Sequence, residues 1–367
     1  MSQRSLTVLI MAGGTGGHVF PALAVADVLQ SRGARIEWLG SRHGIEQRLV
    51  PAAGFSLNCL DVGGLRGAGV RRWLGAPLQL VRAVWQAVRC IRRIAPDCVL
   101  GMGGFAAGPG GLAAWLLRRP LLIHEQNAVA GVTNRLLRPL ARRTFEGFPA
   151  TFGGAGVEHV GNPVRAEICA LESPRQRFER RRADGEPLHL LILGGSLGAA
   201  ALNELLPQAL ALLPAELRPR VWHQAGAGKD EACRAGYRQA GVEARVEPFI
   251  DAMATAYGWA DLVLCRAGAL TLAELCCAGV GGLLVPYPFA VDDHQSVNGR
   301  VVEQVGGAQL LPQATLDAST LAARLEPFVR EPARALALGM RIQTLARPQA
   351  AERMADCCQE VAHGQAA

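Results

Sequence analysis

The sequence of 367 residues lacks the patterns that mark several protein classes. None of its ten cysteines forms a C-x-x-C pair, and the adjacent pairs Cys276–Cys277 and Cys357–Cys358 suit neither ordinary disulfides nor tetrahedral zinc. Scattered thiols in a large chain favour a reducing cytoplasm over a disulfide-built secreted protein. The sequence also has no D-x-D motif and no His/Cys/Asp/Glu set with metal-site spacing. We therefore expect no cofactor and no tightly bound metal.

Long hydrophobic runs and aromatic residues are scarce. The uncharged stretch Cys98–Leu117 contains six glycines and Pro109, so it predicts a strand, a loop and a helix rather than a membrane span. The apolar run Leu6–Ala12 is short and leads into a glycine loop, so we expect no signal peptide. Aromatic residues make up only 5% of the chain, without a stacking series, which disfavours nucleic acid as a partner.

Charge is distributed unevenly. Residues 1–163 carry 18 basic and 8 acidic residues, a net +10, whereas residues 164–367 carry 20 and 23, a net −3. Seven of the arginines lie between Val62 and Pro96, a segment without an acid. This segment predicts a helix, Pro77–Ile94, that is either an ordinary sheet-covering helix with a solvated basic face or a docking surface for anionic lipid, helped by Trp73 in the preceding loop. Its two stripes are Arg82, Gln86, Arg89 and Arg93 on one side and Val81, Val84, Trp85, Val88 and Ile91 on the other.

Short apolar runs alternate with helical patterns along the chain, which predicts β-α-β units with parallel sheets. A buried strand followed by G-G-[S/T]-x-G and a helix occurs twice, at Gly13 and at Gly194, 181 residues apart. We infer two Rossmann-like domains, 1–163 and 164–344. Whether a C-terminal helix over about 345–362 packs back on the first domain stays open at this point. The predicted strands are Leu6–Ala12, Ala34–Leu39, Cys98–Met102, Pro120–His124, Leu188–Leu193, Arg220–Gln224, Arg245–Pro248, Asp261–Cys265 and Gly282–Val285, and the main helices are Pro21–Ser31, Pro77–Ile94, Ala199–Leu213, Leu270–Ala278 and Ser296–Val305.

The two glycine loops are suited to phosphate-bearing ligands, because such turns let backbone N–H groups approach phosphate oxygens. Neither loop is a complete dinucleotide fingerprint or a P-loop. An acid about 20 residues after the first loop keeps a dehydrogenase open as an alternative. His18 ends the first loop at a predicted helix N-terminus, where a neutral imidazole is favoured and can accept a proton from a hydroxyl. A simple loop cap is the plainer interpretation of His18.

Three further segments follow predicted strands and therefore lie where open parallel sheets bind ligands. The polar run His124–Asn127 and the turn Gly103–Gly104 belong to the first half. In the second half, the run Cys265–Glu274 predicts a helix start that can hold a diphosphate, with Glu274 one turn further where a carboxylate can accept ribose hydroxyls. Gln295 opens another helix. Each of these is also compatible with ordinary loop chemistry or with helix capping.

Taken together, these motifs resemble the peptidoglycan GlcNAc transferases of the GT-B glycosyltransferase superfamily. The resemblance extends from Gly13 to about Gln309. The strings that carry it are MAGGTGGHVFPALAVA, GMGGFAAGP, HEQNAVAG, GNPVR, GGSLGA, CRAGALTLAE and DDHQ followed by Asn298.

The resemblance implies an α/β fold of two Rossmann-like domains whose parallel sheets face each other across a cleft. It implies an inverting transfer of GlcNAc from UDP-GlcNAc to the C4 hydroxyl of MurNAc in undecaprenyl-diphosphate-MurNAc-pentapeptide (lipid I), which gives lipid II for the cell wall. The implied location is peripheral, on the cytoplasmic face of the bacterial inner membrane. The implied partners are anionic inner-leaflet lipids and proteins of cell-wall synthesis and cell division.

The same resemblance implies roles for individual residues. His18 is the candidate general base, and Arg82, Arg89 and Arg93 with Trp73 form the candidate membrane-facing set. Ala267 and His294 depart from residues common in the family. Another UDP-sugar-dependent GT-B transferase, an epimerase and a non-enzymatic nucleotide-binding scaffold remain alternatives. The implied UDP-GlcNAc-binding residues are Thr15, Gly16, Gly17, Asn127, Arg165, Ser196, Ile250 (through its backbone), Ala269, Leu270, Thr271, Leu272, Ala273, Glu274 and Gln295.

Overall fold

The structure is a computed structural model that describes residues 5–63, 70–195 and 198–364, with the side chains of 70–76 and 291 left out of the description. The chain divides into two compact units. The first is built from the chain up to Arg165 and from Arg347 onward, and the second from Ala166–Ala346.

The first unit contains a parallel sheet of seven strands in the order β3-β2-β1-β4-β5-β6-β7. Its central strand, β1, has the sequence TVLIM and is buried along its whole length, as expected for a parallel sheet covered on both faces. The strands are β1 Thr7–Met11, β2 Arg35–Ser41, β3 Ser56–Leu60, β4 Cys98–Gly101, β5 Leu121–Glu125, β6 Arg143–Glu146 and β7 Val157–His159; the helices are α1 Gly16–Ser31, α2 Glu46–Ala52, α3 Val70–Ile94, α4 Ala107–Leu116, α5 Val132–Leu137 and the C-terminal α15 Ala350–Ala362.

The second unit repeats this plan with a parallel sheet of six strands in the order β10-β9-β8-β11-β12-β13. Its first strand, β8, is buried along its length, as β1 is. The strands are β8 His189–Leu193, β9 Arg220–Gln224, β10 Arg245–Glu247, β11 Leu262–Cys265, β12 Gly281–Leu284 and β13 Ala308–Leu310; the helices are α6 Ala166–Cys169, α7 Pro174–Ala183, α8 Ala200–Ala211, α9 Asp230–Gln239, α10 Met253–Trp259, α11 Ala269–Ala278, α12 His294–Gln304, α13 Ala318–Arg330 and α14 Ala333–Ile342.

The C-terminal helix α15 belongs to the first unit. Its buried face, which includes Met354 and Cys358, joins the hydrophobic core that also contains Val8 of β1 and Val25 of α1. Arg353 on α15 donates to the carboxylate of Glu158 on β7 at 2.6 Å. The chain therefore returns to its first unit after completing the second.

Two helices begin five or more residues earlier than the sequence predicts, because in each of them the proline that signals a helix start lies inside the helix. Pro21 lies inside α1, which begins at Gly16, and Pro77 lies inside α3, which begins at Val70. A helix can continue through proline if packing compensates for the lost backbone hydrogen bond. The prediction that Trp73 lies in a loop is therefore wrong, since its backbone is helical.

The buried face of α3 also differs from the predicted apolar stripe. Ala83, Ala87 and Ile91 face the core, whereas Val81 and Trp85 are 66% and 56% exposed. Small side chains allow α3 to pack closely, so the larger apolar residues are left on the surface. The segment Cys98–Leu117 forms a strand, a loop and a helix, as predicted. No helix among the described residues is long and apolar enough to cross a bilayer.

Candidate active site

The first glycine loop turns directly from the buried strand β1 into α1. Gly14 has φ +86°, a conformation that glycine adopts at little cost, and Thr15 is the N-cap residue of the helix. Thr15 and Gly17 are exposed, while Gly16 and His18 are half-buried. The predicted residues therefore lie on an accessible turn at the carboxyl end of β1.

His18 is held by the loop from which it arises. Its Nδ1 lies 3.2 Å from the carbonyl oxygen of Gly13. Because a carbonyl can only accept, Nδ1 must carry the proton in this contact, so in the neutral ring Nε2 is the basic nitrogen. This is the tautomer that a base acting through Nε2 requires.

A second glycine turn, after β4, packs against this loop. Gly103 (φ +97°) and Gly104 (φ +88°) both adopt backbone conformations that favour glycine. A Cβ added to Gly103 would lie 2.9 Å from Nε2 of His18, and one added to Gly104 would lie 2.4 Å from the carbonyl oxygen of Gly13. Both glycines are therefore required by close approach to the His18 loop.

The segment after β5 is fixed by the buried carboxylate of Glu125. One oxygen accepts from the backbone N–H of Asn127 at 3.1 Å and from its side chain at 3.3 Å. The other oxygen accepts from the N–H of Gly131 at 3.0 Å and from Asn134 at 2.9 Å. Glu125 thus positions Asn127, which is half-buried at the carboxyl end of its strand.

His124 is buried beneath this segment and plays a structural part. Desolvation lowers the pKa of His124 to about 4, although its hydrogen bond to the Gly161 carbonyl acts in the opposite direction. Its Nε2 lies 2.9 Å from that carbonyl oxygen, so the neutral ring carries its proton there. His124 ties β5 to the turn that leads to Arg165.

Arg165 is half-buried and ends the first unit. Its guanidinium carbon lies 5.4 Å from the ring centroid of Phe20, two residues beyond His18 on α1. This cation–π contact holds Arg165, a predicted UDP-GlcNAc-binding residue, close to the first turns of α1.

In the second unit, Gln224 links two of the predicted donor segments. Its side-chain nitrogen donates to the carbonyl of Gly195 in the second glycine loop at 3.2 Å, and its oxygen accepts from the N–H of Ile250 at 3.0 Å. A uracil contact through the backbone of Ile250 would therefore use its carbonyl oxygen. Ser196, the remaining residue predicted in this loop, lies outside the described residues.

The helix α11 begins at the predicted diphosphate site, directly after β11. Its N-cap residue is Gly268, which has no side chain that could cap this end. The first N–H groups of a helix lack intrahelical partners, so they are directed toward whatever lies at this end. Ala269 and Leu272 are buried, whereas Leu270, Thr271 and Ala273 are half-buried, so Leu272 can serve a ligand only through its backbone.

Glu274 lies on the second turn of α11 and is 6% exposed. One oxygen of its carboxylate accepts a hydrogen bond from the fully buried hydroxyl of Tyr257 at 2.9 Å. Burial and this bond hold the carboxylate in one orientation. Glu274, the residue predicted to bind the ribose, is thus a buried side chain held in one orientation and not an exposed surface glutamate.

Gln295 lies in the first turn of α12 and is half-buried. Its side-chain oxygen accepts from the N–H of Tyr287 at 2.9 Å, which leaves the amide nitrogen as the donor for a sugar hydroxyl. Asn298, one turn further, is fully buried and donates to the carbonyl of Ala267 at 3.3 Å. This bond ties α12 to the loop that precedes α11.

The candidate membrane-facing arginines lie on the exposed side of α3. Arg82, Arg89 and Arg93 are all exposed, and the guanidinium carbon of Arg89 lies 4.6 Å from the ring centroid of Trp85. Arg82 approaches Asp61 at 3.7 Å, and Arg93 donates to Asn58. The side chain of Trp73 lies outside the described residues.

Several supporting residues escaped the sequence analysis. Glu46, Gln224 and Tyr257 each bind a predicted site segment, but none lies within a recognisable motif. Gln224 ends a strand at the ligand-binding edge of the sheet, which is a positional signal. Glu46 and Tyr257 carry no such signal, because their partners are distant in sequence.

Comparison with known proteins agrees with this arrangement. The family model described as "Glycosyltransferase family 28 N-terminal domain" matches residues 8–146, and "Glycosyltransferase family 28 C-terminal domain" matches residues 189–354. Among solved structures, the crystal structure of Acinetobacter baumannii MurG superposes with a TM-score of 0.81 at 41% identity, covering 97% of this chain and 99% of that one. The prediction of a GT-B fold is confirmed by these matches. UDP-GlcNAc 2-epimerase from Neisseria meningitidis, at 11% identity and a TM-score of 0.64, shares the fold alone.

Curated relatives are similar over nearly their whole length. A protein of Nitrosococcus oceani is 54% identical over 361 residues, which cover 98% of this chain and 100% of the relative. A protein of Stutzerimonas stutzeri is 56% identical over 358 residues, which cover 97% and 99%. Both are named UDP-N-acetylglucosamine--N-acetylmuramyl-(pentapeptide) pyrophosphoryl-undecaprenol N-acetylglucosamine transferase. The chain belongs to glycosyltransferase family 28.

Proposed function

We propose that this protein transfers GlcNAc from UDP-GlcNAc to the MurNAc C4 hydroxyl of undecaprenyl-diphosphate-MurNAc-pentapeptide. The observation that carries the proposal is identity of 54–56%, over nearly the whole chain, to relatives named for this transfer. The position of His18 within the first unit and that of α11 within the second each support it, because each unit presents one part of the required chemistry.

The first unit supplies the base. His18 accepts the proton of the acceptor hydroxyl at Nε2 while its Nδ1–H stays bonded to Gly13. The hydroxyl oxygen forms a bond to the anomeric carbon as the bond from that carbon to the diphosphate oxygen breaks, so the anomeric configuration inverts. The proton remains on the imidazolium until it passes to solvent, and UDP leaves with the electron pair of the broken bond.

The second unit supplies the donor site. The N-terminus of α11 stabilises the charge that develops on the leaving diphosphate, and the mechanism needs no resident metal ion for this step. Glu274 accepts hydrogen bonds from the ribose, Ile250 contacts uracil and Gln295 contacts the GlcNAc hydroxyls. On the first unit, Asn127 contacts the donor sugar and Arg165 is a further donor-binding residue.

The decisive experiment is UDP release from UDP-GlcNAc with and without a lipid I analogue. We expect release that depends on the acceptor. Release that does not depend on the acceptor would favour an epimerase or a hydrolytic enzyme, and donor binding without release would favour a nucleotide-binding scaffold.

His18→Ala should lower kcat far more than donor affinity, because the base acts after the donor has bound. Near-normal turnover in His18→Ala would remove His18 from the role of base.

We further propose that α3 binds anionic lipid and holds the enzyme peripherally on the cytoplasmic face of the inner membrane. Leu78, Val81 and Trp85 are exposed apolar residues beside Arg82 and Arg89. Each arginine near an anionic surface contributes about 1 kcal/mol, and an amphipathic helix adds the burial of its apolar side chains.

Vesicle binding tests this surface. Reversal of Arg82, Arg89 and Arg93 to glutamate should abolish binding to vesicles that contain anionic phospholipid. The control reverses three exposed arginines of the second unit, Arg238, Arg324 and Arg330, which changes the net charge equally. Equal loss in both triple variants would mean that net charge and not α3 governs binding, and no loss in the α3 variant would refute the proposal.

A further inference from the structure

A buried carboxylate lies behind the first glycine loop. Glu46, the first residue of α2, has no exposed surface. One of its oxygens accepts from the N–H of Ser41 at 2.9 Å and from the Ser41 hydroxyl at 2.7 Å. Its other oxygen accepts from the N–H of Gly14 at 2.8 Å. The carboxylate thus joins the end of β2 to the loop that carries His18.

Three glycines make room for this carboxylate. A Cβ added to Gly13, Gly40 or Gly44 would lie 2.4, 2.8 or 1.8 Å from the nearest atom of the Glu46 side chain. Contacts below 3.0 Å essentially never occur for real Cβ atoms. Glycine is therefore required at these three positions because the Glu46 side chain occupies the adjacent space, whether or not a phosphate ligand binds.

The bond from Gly14 continues to His18 through a single peptide group. The N–H of Gly14 and the carbonyl of Gly13 belong to the same planar peptide group. In a trans peptide they point in opposite directions. Glu46 accepts a hydrogen bond from the N–H of this peptide group, and Nδ1 of His18 donates to its carbonyl oxygen at 3.2 Å. Hydrogen bonds arranged in series polarise one another, so the carboxylate strengthens the carbonyl as an acceptor.

We propose that Glu46 is a positioning residue for the transfer reaction, acting on His18 through the Gly13–Gly14 peptide. It holds the peptide plane, which in turn holds the imidazole with its proton on Nδ1 and Nε2 directed to the acceptor. A carboxylate oriented toward a histidine serves the same purpose in hydrolases, but here one peptide group lies between them. The inference rests on the proposed function and on His18 as its base.

The main test is Glu46→Gln, which keeps the shape of the side chain but replaces one acceptor oxygen by a donor. A glutamine cannot accept from both Ser41 and Gly14, so the peptide plane loses one of its supports. We expect kcat to fall about 10–100-fold, because a displacement of about 1 Å at a reacting group can cost about 100-fold in rate. The KM for UDP-GlcNAc should stay within about twofold, since the main donor contacts lie on the other unit.

The matched control is Glu37→Gln on the same strand, β2. Glu37 is 7% exposed, and its carboxylate is bonded to Arg35 and Asn58, not to the glycine loop. This variant should retain wild-type kcat. If Glu46→Gln and Glu37→Gln behave alike, the proposal is wrong.

A double-mutant cycle separates positioning from a general structural role. In a His18→Ala background, Glu46→Gln should cost less than about twofold, because the group on which it acts is gone. A full additional loss in that background would overturn the proposal.

Should Glu46→Gln fail to fold, Ser41→Ala removes one support of the same carboxylate and should lower kcat several-fold with the same dependence on His18. Wild-type protein without acceptor-dependent UDP release would instead refute the proposed function, so the two failures are distinguishable.

Discussion

Replacement of Gly103 by alanine would place a methyl group against the imidazole of His18. The added Cβ would lie 2.7 Å from Cδ2 and 2.9 Å from Nε2 of the ring. Carbon atoms in contact are ordinarily 3.5–4.0 Å apart, so the ring or the turn must move by about 0.8 Å or more. Such a shift breaks the alignment of Nε2 with the acceptor hydroxyl.

The expected magnitude has two parts. Misplacement of a reacting group by about 1 Å costs about 100-fold in rate, so kcat should fall by about 10–100-fold. The backbone at Gly103 has φ +97°, and a side chain there adds strain of about 1–3 kcal/mol, which lowers stability whether or not the ring moves. A control must therefore carry the strain without the collision.

Gly33 provides that control. It has φ +83° in the turn between α1 and β2, and a Cβ added there would meet no atom of the described residues within 4 Å. Gly33→Ala should lose stability to a similar degree and keep its turnover. The assay is the initial rate of UDP release with a lipid I analogue, together with thermal unfolding and donor titration of both variants. If Gly103→Ala turns over within about twofold of Gly33→Ala, the assignment of Nε2 as the working nitrogen of His18 is refuted.

Two further predictions concern the donor site and pH. Glu274→Ala should weaken UDP-GlcNAc binding, because it removes the carboxylate that accepts hydrogen bonds from the ribose. Tyr257→Phe should weaken binding less, because it removes only the 2.9 Å hydrogen bond that orients this carboxylate. An unchanged donor dissociation constant in Glu274→Ala would contradict the ribose role. For His124, burial lowers the pKa from 6.5 to about 4 in the folded state, so unfolding takes up a proton at pH values between these two. The free energy of unfolding should therefore fall as the pH drops from 6.5 to 4, by on the order of 3 kcal/mol. Denaturant unfolding of His124→Gln should show a shallower loss over this window than the wild type, and an equal loss in both proteins would show that another group is responsible.

The sequence alone predicts most of the central framework. The apolar strands Leu188–Leu193 and Cys98–Met102 are predicted within one residue of their observed bounds, because both faces of a parallel strand are buried and the apolar run is continuous. Four strands, β3, β6, β7 and β13, were missed. Strands β6, β7 and β13 have only three or four residues, with sequences such as RTFE and VEH, and β3 has the mixed sequence SLNCL, so the place of these strands in the sheet comes from pairing with a neighbour rather than from hydrophobicity.

What the sequence determined by itself is the repeated strand–glycine loop–helix unit and the residues placed on it, since backbone conformation and the position of a strand end are local properties. Only the tertiary structure decided which groups hold those residues in place. Gly14 and Glu46 are 32 residues apart, and Tyr257 and Glu274 are 17 apart. A hydrogen bond between distant residues depends on chain packing, which brings a buried carboxylate or hydroxyl to within 3 Å of its partner, and no local pattern records that distance.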